Sequence, residues 1–201
     1  MKNIAVFVSG NGTNLQAIID SIAKGRLPVN LSLVVSDQRN AFALKRAEKA
    51  GVKTFCFDPK EFGSKEAYEK VIIACLKREK VDLVVLAGFM RILSPFFVRK
   101  YKNRILNIHP ALLPSFKGAH AIRDAFYAGV KVSGVTVHFV DEKVDNGPII
   151  AQEPVEILDS DTLDEFEAKI HRVEHRLYPQ AIGRLIRGRF VTRGRKAISV
   201  K

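Results

Sequence analysis

VFVSGNGTNLQAI, residues 6–18, decides how the first part of the chain folds. An apolar run ends at Ser9, two glycines flank Asn11, and an amphipathic stretch begins at Thr13 and Asn14. This order predicts a buried strand, a tight glycine turn and a helix. Backbone N–H groups at a helix N-terminus lack partners within the helix, and glycine lets a ligand approach them closely. The stretch therefore predicts an anion site at the start of the first helix.

The turn has three interpretations, two with a ligand and one without. A single phosphate bound at Gly12, Thr13 and Asn14 needs only the backbone groups of the helix start. A dinucleotide is the second, although GNGTNL lacks the third glycine of GxGxxG, which permits close helix–strand packing. Asp37, after the second predicted strand, could then bind a ribose hydroxyl. A plain tight turn is the third, and we favour the single phosphate.

Strand-like and helix-like segments alternate through the first half of the chain, which favours parallel strands joined by helices. The most continuously apolar run, VDLVVLAG (81–88), predicts a central strand covered on both faces. Two later stretches, 131–140 and 148–157, are extended in character and are separated by a turn. We predict an α/β fold with a Rossmann-like, doubly wound, mostly parallel sheet and an antiparallel C-terminal part.

Local signals predict where two helices begin. Ser94 is a predicted N-cap, with Pro95 in the first turn of a short helix. Thr162 and Glu165 have the capping-box spacing at the start of a long helix. Pro179 lies inside that long helix, and we expect it to kink or split the helix.

Length and composition restrict the class of protein. The chain has 201 residues, 47% of them hydrophobic, which is sufficient for one domain over 1–201 with a sizeable core. No apolar run approaches the roughly 20 residues of a membrane helix. The N-terminal apolar run predicts a first strand rather than a signal peptide. Cys56 and Cys75 form no CxxC pattern, so we expect no disulfide framework and a reducing cytoplasm.

The net charge of +12 predicts anionic partners, which could be nucleic acid, a membrane surface, or small phosphates and carboxylates. Basic residues are densest in GRLIRGRFVTRGRK (183–196), which we interpret as a solvated face with a charged tail. An RNA-binding arm is the alternative, but Phe190 is the only aromatic residue of that stretch.

The stretch ILNIHPALLP (105–114) carries a candidate catalytic pair. Asn107 and His109 are two apart at the end of a predicted strand, so their side chains share a face. An amide donor and an imidazole can serve a developing oxyanion and a proton transfer, although the pair could also be structural. The acidic turn DEKVDNGPI (141–149) could place a carboxylate near the imidazole. Without a nucleophile motif, direct transfer to an acceptor amine is the simplest chemistry.

HRVEH, residues 171–175, matches a short zinc pattern. His171 and His175 are four apart and would share a helix face. The pattern indicates no third ligand, so we favour a surface or substrate-facing helix and expect no metal.

Five stretches together resemble one enzyme family. The chain resembles the folate-dependent phosphoribosylglycinamide formyltransferases of purine biosynthesis in IAVFVSGNGTNLQAII, DLVVLAGFMRILSP, LNIHPALLPSFKG, GVTVHFVDEKVDNGPII and EHRLYP, which span nearly the whole chain. The resemblance implies transfer of a formyl group from 10-formyltetrahydrofolate to the glycine amine of 5-phosphoribosylglycinamide. It also implies a phosphate-binding N-terminal half and a C-terminal half that contributes to the folate and catalytic site.

The resemblance also implies roles for particular residues. The catalytic residues would be Asn107, His109 and Asp145. The ribotide would be bound by Gly12, Thr13 and Asn14 and by His171, Arg172, Val173 and Glu174, with Glu174 in direct contact. The folate would be bound by Lys65, Met90, Arg91, Ile92, Leu93, Asn107, Asp141, Glu142, Lys143, Val144 and Asp145.

Three positions depart from the pattern of this family. Thr13 replaces a frequent serine, which keeps the hydroxyl. Lys65 stands where arginine is common, which keeps the charge but loses the planar fork. Asn146 follows the aspartate where glycine is common, and asparagine tolerates the left-handed conformation that we expect there.

Methionyl-tRNA formyltransferase and formyltetrahydrofolate hydrolase share an Asn, His, Asp core, but both carry an additional domain for which we expect no room here. A basic nucleic-acid-binding module on a Rossmann-like scaffold is the alternative from another class. We expect small-molecule substrates, a monomer or homodimer in the cytoplasm, and no nucleic acid or membrane partner.

Overall fold

The computed structural model describes residues 1–194 and 196–200. The chain divides into two compact units, Met1–Leu106 and a second unit that begins at Asn107. The organisation as one domain over 1–201 stays a prediction. In the described part of the chain, no helix is long and apolar enough to cross a membrane.

The first unit is built of parallel strands and the helices that connect them. Its strands pair in the order β3-β2-β1-β4, all parallel. In β1, residues 4–8 are 0% exposed, and all four residues of β4 are buried, as the apolar runs predict. The elements are β1 (Lys2–Val8), α1 (Thr13–Ala23), β2 (Val29–Ser36), α2 (Phe42–Lys49), β3 (Thr54–Cys56), a 3₁₀ turn (Pro59–Glu61), α3 (Lys65–Arg78), β4 (Leu83–Leu86) and α4 (Pro95–Lys100).

β5 (Ile105–His109) begins in the first unit and ends in the second, where the strand order is β5-β6-β7-β9-β8. The pairs β6–β7 and β8–β9 are antiparallel, so the predicted change of sheet character toward the C-terminus is confirmed. α6 packs against β6 and β7. The further elements are α5 (Ala121–Tyr127), β6 (Val132–Phe139), β7 (Ile149–Glu156), α6 (Leu163–Arg187), β8 (Arg189–Arg193) and β9 (Lys196–Val200).

The predicted helix starts are confirmed. The Ser94 side chain accepts a hydrogen bond from Phe97 N at 3.2 Å, and Thr162 and Glu165 form the capping box. The predicted split at Pro179 is wrong, because α6 runs through it without a break. An interior proline costs a helix about 3 kcal/mol. Pro179 and the preceding Tyr178 are buried, and this tertiary packing outweighs that cost.

The basic C-terminal stretch contains strands rather than a charged tail. β8 and β9 pair over five positions, from Arg189 with Val200 to Arg193 with Lys196. Gly194, between them, has a φ of 55°. Charge dominated the interpretation of this stretch, whereas its apolar residues and the glycine turn carried the strand signal.

Candidate active site

Asn107 and His109 lie at the end of β5, as predicted, and Pro110 follows the strand directly. His109 is 3% exposed and Asn107 is half-buried. Their spacing of two puts both side chains on one face of the strand. The carboxyl end of a strand is where open α/β sheets bind ligands, so the pair stands at the expected position for chemistry.

Both ring nitrogens of His109 face groups of the second unit. Nε2 donates to the carbonyl oxygen of Phe116 at 2.7 Å, and because a carbonyl only accepts, Nε2 carries a proton. Nδ1 lies 3.4 Å from Oδ2 of Asp145. The predicted meeting of Asp145 with His109 therefore occurs in the structure, and a second proton on the ring would face a carboxylate.

Asp145 is held in a strained turn. Its φ is 47°, in the left-handed region that non-glycine residues seldom occupy, and Oδ2 accepts from Gly118 N at 2.9 Å. The left-handed residue of the turn is therefore Asp145, whereas the sequence led us to expect that conformation at Asn146. Gly147 is required two residues later, because a Cβ there would overlap the Phe139 carbonyl oxygen.

A second histidine, missed from the sequence, completes the cluster. His138 is 1% exposed, and its Nδ1 donates to Phe139 O at 2.8 Å, so Nε2 is the acceptor when the ring is neutral. That Nε2 accepts from Nδ2 of Asn107 at 3.2 Å and lies 3.7 Å from Oδ1 of Asp145. Burial is the main cause that lowers the pKa of His138, which favours the neutral ring that can keep accepting. A histidine within an apolar strand was the available signal.

The chain that follows His109 is fixed by a buried hydroxyl, also missed from the sequence. Thr136 is 0% exposed, and its Oγ1 donates to Ala111 O at 2.6 Å and accepts from Leu113 N at 3.1 Å. Nε2 of Gln152 donates to the same hydroxyl at 3.0 Å. These contacts between β6, β7 and the loop hold the path of the backbone beside the catalytic cluster.

The candidate folate loop 141–145 is organised by its own first residue. Oδ1 of Asp141 accepts from Lys143 N at 2.9 Å, and Oδ2 accepts from Nδ2 of Asn146 at 3.0 Å. The side chains of residues 142–144 are exposed. The carboxylate of Asp141 is thus used inside the loop, where it holds the backbone of Lys143 and the side chain of Asn146.

The candidate ribotide residues of α6 do not all lie on one face. His171 and Glu174 are three apart, and Nδ1 of His171 donates to Oε2 of Glu174 at 2.8 Å. Arg172 and Val173 point well away from them, since each helical residue rotates by about 100°. They line a groove of about 500 Å³ with Pro154, Val155, Glu156, Leu158, Lys169 and Arg176.

The zinc alternative at His171 and His175 gains no support. Both ring nitrogens of His171 are engaged, by Glu174 and, at 3.3 Å, by Glu167. The hydrogen bond to Glu174 is the main cause that raises the pKa of His171. Among the residues that the structure describes, no group of three or more His, Cys, Asp or Glu could hold a metal ion.

The predicted phosphate turn lies in the first unit. Gly12 is the N-cap of α1 with a φ of 74°, and in this fully described helix no side chain caps the start and no acidic residue lies in the first turn. A Cβ on Gly12 would lie 2.5 Å from the Cβ of Ala43 in α2, so glycine is needed for packing as well as for conformation. Arg46 fixes the turn by donating to Asn11 O at 2.9 Å and to Asn11 Oδ1 at 3.0 Å.

The other candidate folate residues also lie in the first unit. Met90 and Ile92 are exposed, and Nζ of Lys65 donates to Ile92 O at 2.9 Å. Asp37, the alternative ribose ligand, is 5% exposed and accepts from Arg91 Nε at 2.9 Å. It is thus engaged inside the protein, which counts against the dinucleotide interpretation.

Comparison with known proteins gives consistent matches over most of the chain. The formyl transferase family model matches residues 2–182. Phosphoribosylglycinamide formyltransferase of Bacillus subtilis is 45% identical over 186 residues, which cover 92% of this chain and 95% of that protein. Its namesake from Escherichia coli is 43% identical, with coverage of 93% and 88%.

Solved structures agree. Glycinamide ribonucleotide transformylase 1 from Symbiobacterium toebii has a TM-score of 0.96 at 45% identity, covering 100% of this chain and 95% of that chain. Phosphoribosylglycinamide formyltransferase from Bacillus halodurans has a TM-score of 0.90 at 48% identity, covering 92% and 95%.

Proposed function

The chain belongs to the formyl transferase family and is a formyl-transferring enzyme, and on that premise we propose its substrates and mechanism. The formyl group comes from 10-formyltetrahydrofolate, and the acceptor is the glycine amine of 5-phosphoribosylglycinamide. The transfer is direct and passes through a tetrahedral intermediate, as a step of de novo purine biosynthesis. The single observation that carries this proposal is the cluster of Asn107, His109, Asp145 and His138.

In the first half of the reaction, the acceptor amine attacks the formyl carbon and negative charge develops on the formyl oxygen. Asn107 has two amide N–H groups, and its bond to His138 uses one of them. The second can donate to the oxyanion, in an orientation set by the acceptor nitrogen of His138. An oxyanion donor of this kind contributes about 10²–10³-fold in rate.

His109 supplies the second donor. Its Nε2 proton is bound to Phe116 O, and we propose that the formyl oxygen takes the place of that carbonyl when substrates bind. Asp145, 3.4 Å from Nδ1, stabilises the doubly protonated ring as charge develops.

Collapse of the intermediate breaks the bond from the formyl carbon to the folate nitrogen. The attacking nitrogen loses one proton and the folate nitrogen gains one, so no proton is consumed overall. Either His109 or a water held by Asp145 can carry it. A general acid–base group contributes about 10²–10⁴-fold.

The binding roles follow the resemblance and the charges. The ribotide phosphate binds the N-terminus of α1 at Gly12, Thr13 and Asn14, where the helix dipole favours an anion. From α6, His171 and Glu174 form the hydrogen-bonded pair that faces the ribotide. The folate binds the backbone of residues 90–93 and of the loop 141–145.

A release assay with three acceptors tests the proposal. Tetrahydrofolate formation is measured with 5-phosphoribosylglycinamide, with methionyl-tRNA and with water alone. We expect saturable release with the ribotide and only background release with the other two. Equal rates with and without the ribotide would indicate a hydrolase, and a preference for methionyl-tRNA would contradict the proposed acceptor.

A further inference from the structure

Two buried carboxylates of the first unit take no part in the proposed reaction. Asp37 is 5% exposed and Glu69 is 0% exposed. Burying a carboxylate is costly unless it is paired and hydrogen-bonded. Both are satisfied by the same short stretch of chain, residues 90–94, which we call the 90–94 segment.

Asp37, directly after β2, holds the beginning of the 90–94 segment. Oδ2 accepts from Nε of Arg91 at 2.9 Å, and Oδ1 accepts from Oγ of Ser9 at 2.6 Å. The same Ser9 oxygen accepts from Met90 N at 2.9 Å. One carboxylate therefore fixes the backbone of Met90 and the side chain of Arg91.

Glu69, on α3, holds the end of the segment. Oε1 accepts from Ser94 N at 2.8 Å, and Oε2 accepts from the hydroxyl of Ser94. Lys65, one helical turn earlier, donates to Ile92 O at 2.9 Å. α3 thus contacts the backbone of the segment at two points.

These contacts leave the segment with a fixed backbone and outward apolar side chains. Met90 is 71% exposed and Ile92 is 63% exposed. Large exposed apolar side chains on a pre-organised backbone are suited to a flat, partly apolar ligand, because little ordering is required on binding. The pterin ring system of the proposed formyl donor has that chemistry.

We propose that Asp37 and Glu69 are positioning residues, which hold the 90–94 segment in the conformation that receives the formyl donor. This inference rests on the proposed function, because it takes the segment as part of the folate site. The two carboxylates act on donor binding through Met90, Arg91 and Ser94, and they do not touch the reacting atoms.

Four variants test the role: Asp37→Ala, Asp37→Asn, Glu69→Ala and Glu69→Gln. The alanine variants should raise the KM for the donor by about ten- to hundredfold, as expected for the loss of hydrogen bonds to a charged group. Their kcat at saturating donor and their KM for the ribotide should stay within about threefold. The amide variants keep the shape of the side chain and one hydrogen-bond acceptor. Their KM for the donor should therefore lie close to the wild-type value.

The matched control is Glu79→Ala, which removes a carboxylate at the C-cap of α3 that pairs with Lys53 and Arg78. Its donor KM should equal that of the wild type. If the alanine variants do not fold, Ser9→Ala replaces them, because it removes only the hydroxyl between Asp37 and Met90 N. It should raise the donor KM in the same direction.

Binding of tetrahydrofolate to the wild type, measured by calorimetry, distinguishes a failure of the proposed function from a failure of the positioning role. If the wild type neither binds it nor transfers formyl, the proposed function and the positioning role both fall. If the wild type does both, but folded alanine variants keep the wild-type donor KM or lose both substrates equally, the positioning role alone falls.

Discussion

Replacing Asp145 by asparagine should preserve the fold and greatly reduce turnover. The side chain lies in a turn of the second unit, so little core packing is lost. The amide oxygen can still accept from Gly118 N, which the carboxylate now does at 2.9 Å. What disappears is the negative charge 3.4 Å from Nδ1 of His109.

The size of the effect follows from that distance. Two unit charges 3.4 Å apart attract by about 1.2 kcal/mol in water and by about 5 kcal/mol at an effective dielectric constant of about 20. If this attraction is lost in the transition state, the rate falls by roughly eightfold at the lower limit and by a few thousandfold at the upper limit. The side chains of His109 and Asp145 are only 4% and 10% exposed, which favours the upper part of the range. We expect kcat to fall by at least about a hundredfold.

The assay is kcat at saturating ribotide and donor, measured beside the midpoint of thermal unfolding. The matched control is Asp159→Asn, which removes an 88% exposed carboxylate of the same unit that pairs with Lys131. The control should keep full turnover. A folded Asp145→Asn variant with kcat within tenfold of the wild type would refute the role given to the charge.

Three further outcomes are expected. Gly10→Ala places a Cβ in open space beside the phosphate turn, where a ligand must approach the backbone closely. It should raise the KM for the ribotide without lowering the unfolding temperature. Gly12→Val is unsuitable for this test, because its side chain would clash with Ala43. The raised pKa of His171 adds stability that is present below pH about 6.5 and is lost as the pH rises through the folded-state pKa. His171→Asn should therefore lower the free energy of unfolding at about pH 5.5 and change it less at about pH 9, as urea titrations can show. Overnight dialysis against a chelator should leave the rate unchanged, and activity that returns only with zinc would disprove this.

Local patterns predicted the parts of the molecule that depend on local physics. The alternation of β5 placed Asn107 and His109 on one face, and the caps at Ser94 and Thr162 each depend on residues three positions away. The turn containing Asp145 was predicted from the two extended stretches on either side of it. Local sequence could suggest its contact with His109 but could not establish it, because the contact joins residues 36 positions apart in sequence.

The missed residues owe their roles to distant partners. His138 accepts from Asn107, 31 positions away, and Asp37 binds Arg91, 54 positions away. Nothing near Asp37 in sequence reveals Arg91 as its partner. Asp37 was therefore considered as a ribose ligand. By contrast, the separation of Arg172 from Glu174 could have been foreseen, because the rotation of a helix puts residues two apart on different faces.

Direct transfer between the two substrates can be tested by following a ¹³C-labelled formyl group from donor to product. The labelled donor is mixed with enzyme and ribotide, and the small molecules are examined by NMR while the protein is weighed intact. Direct transfer predicts that the label appears as the formamide of the ribotide and never on the protein. A formylated protein that forms and decays at the rate of turnover, or label released only as formate, would contradict it.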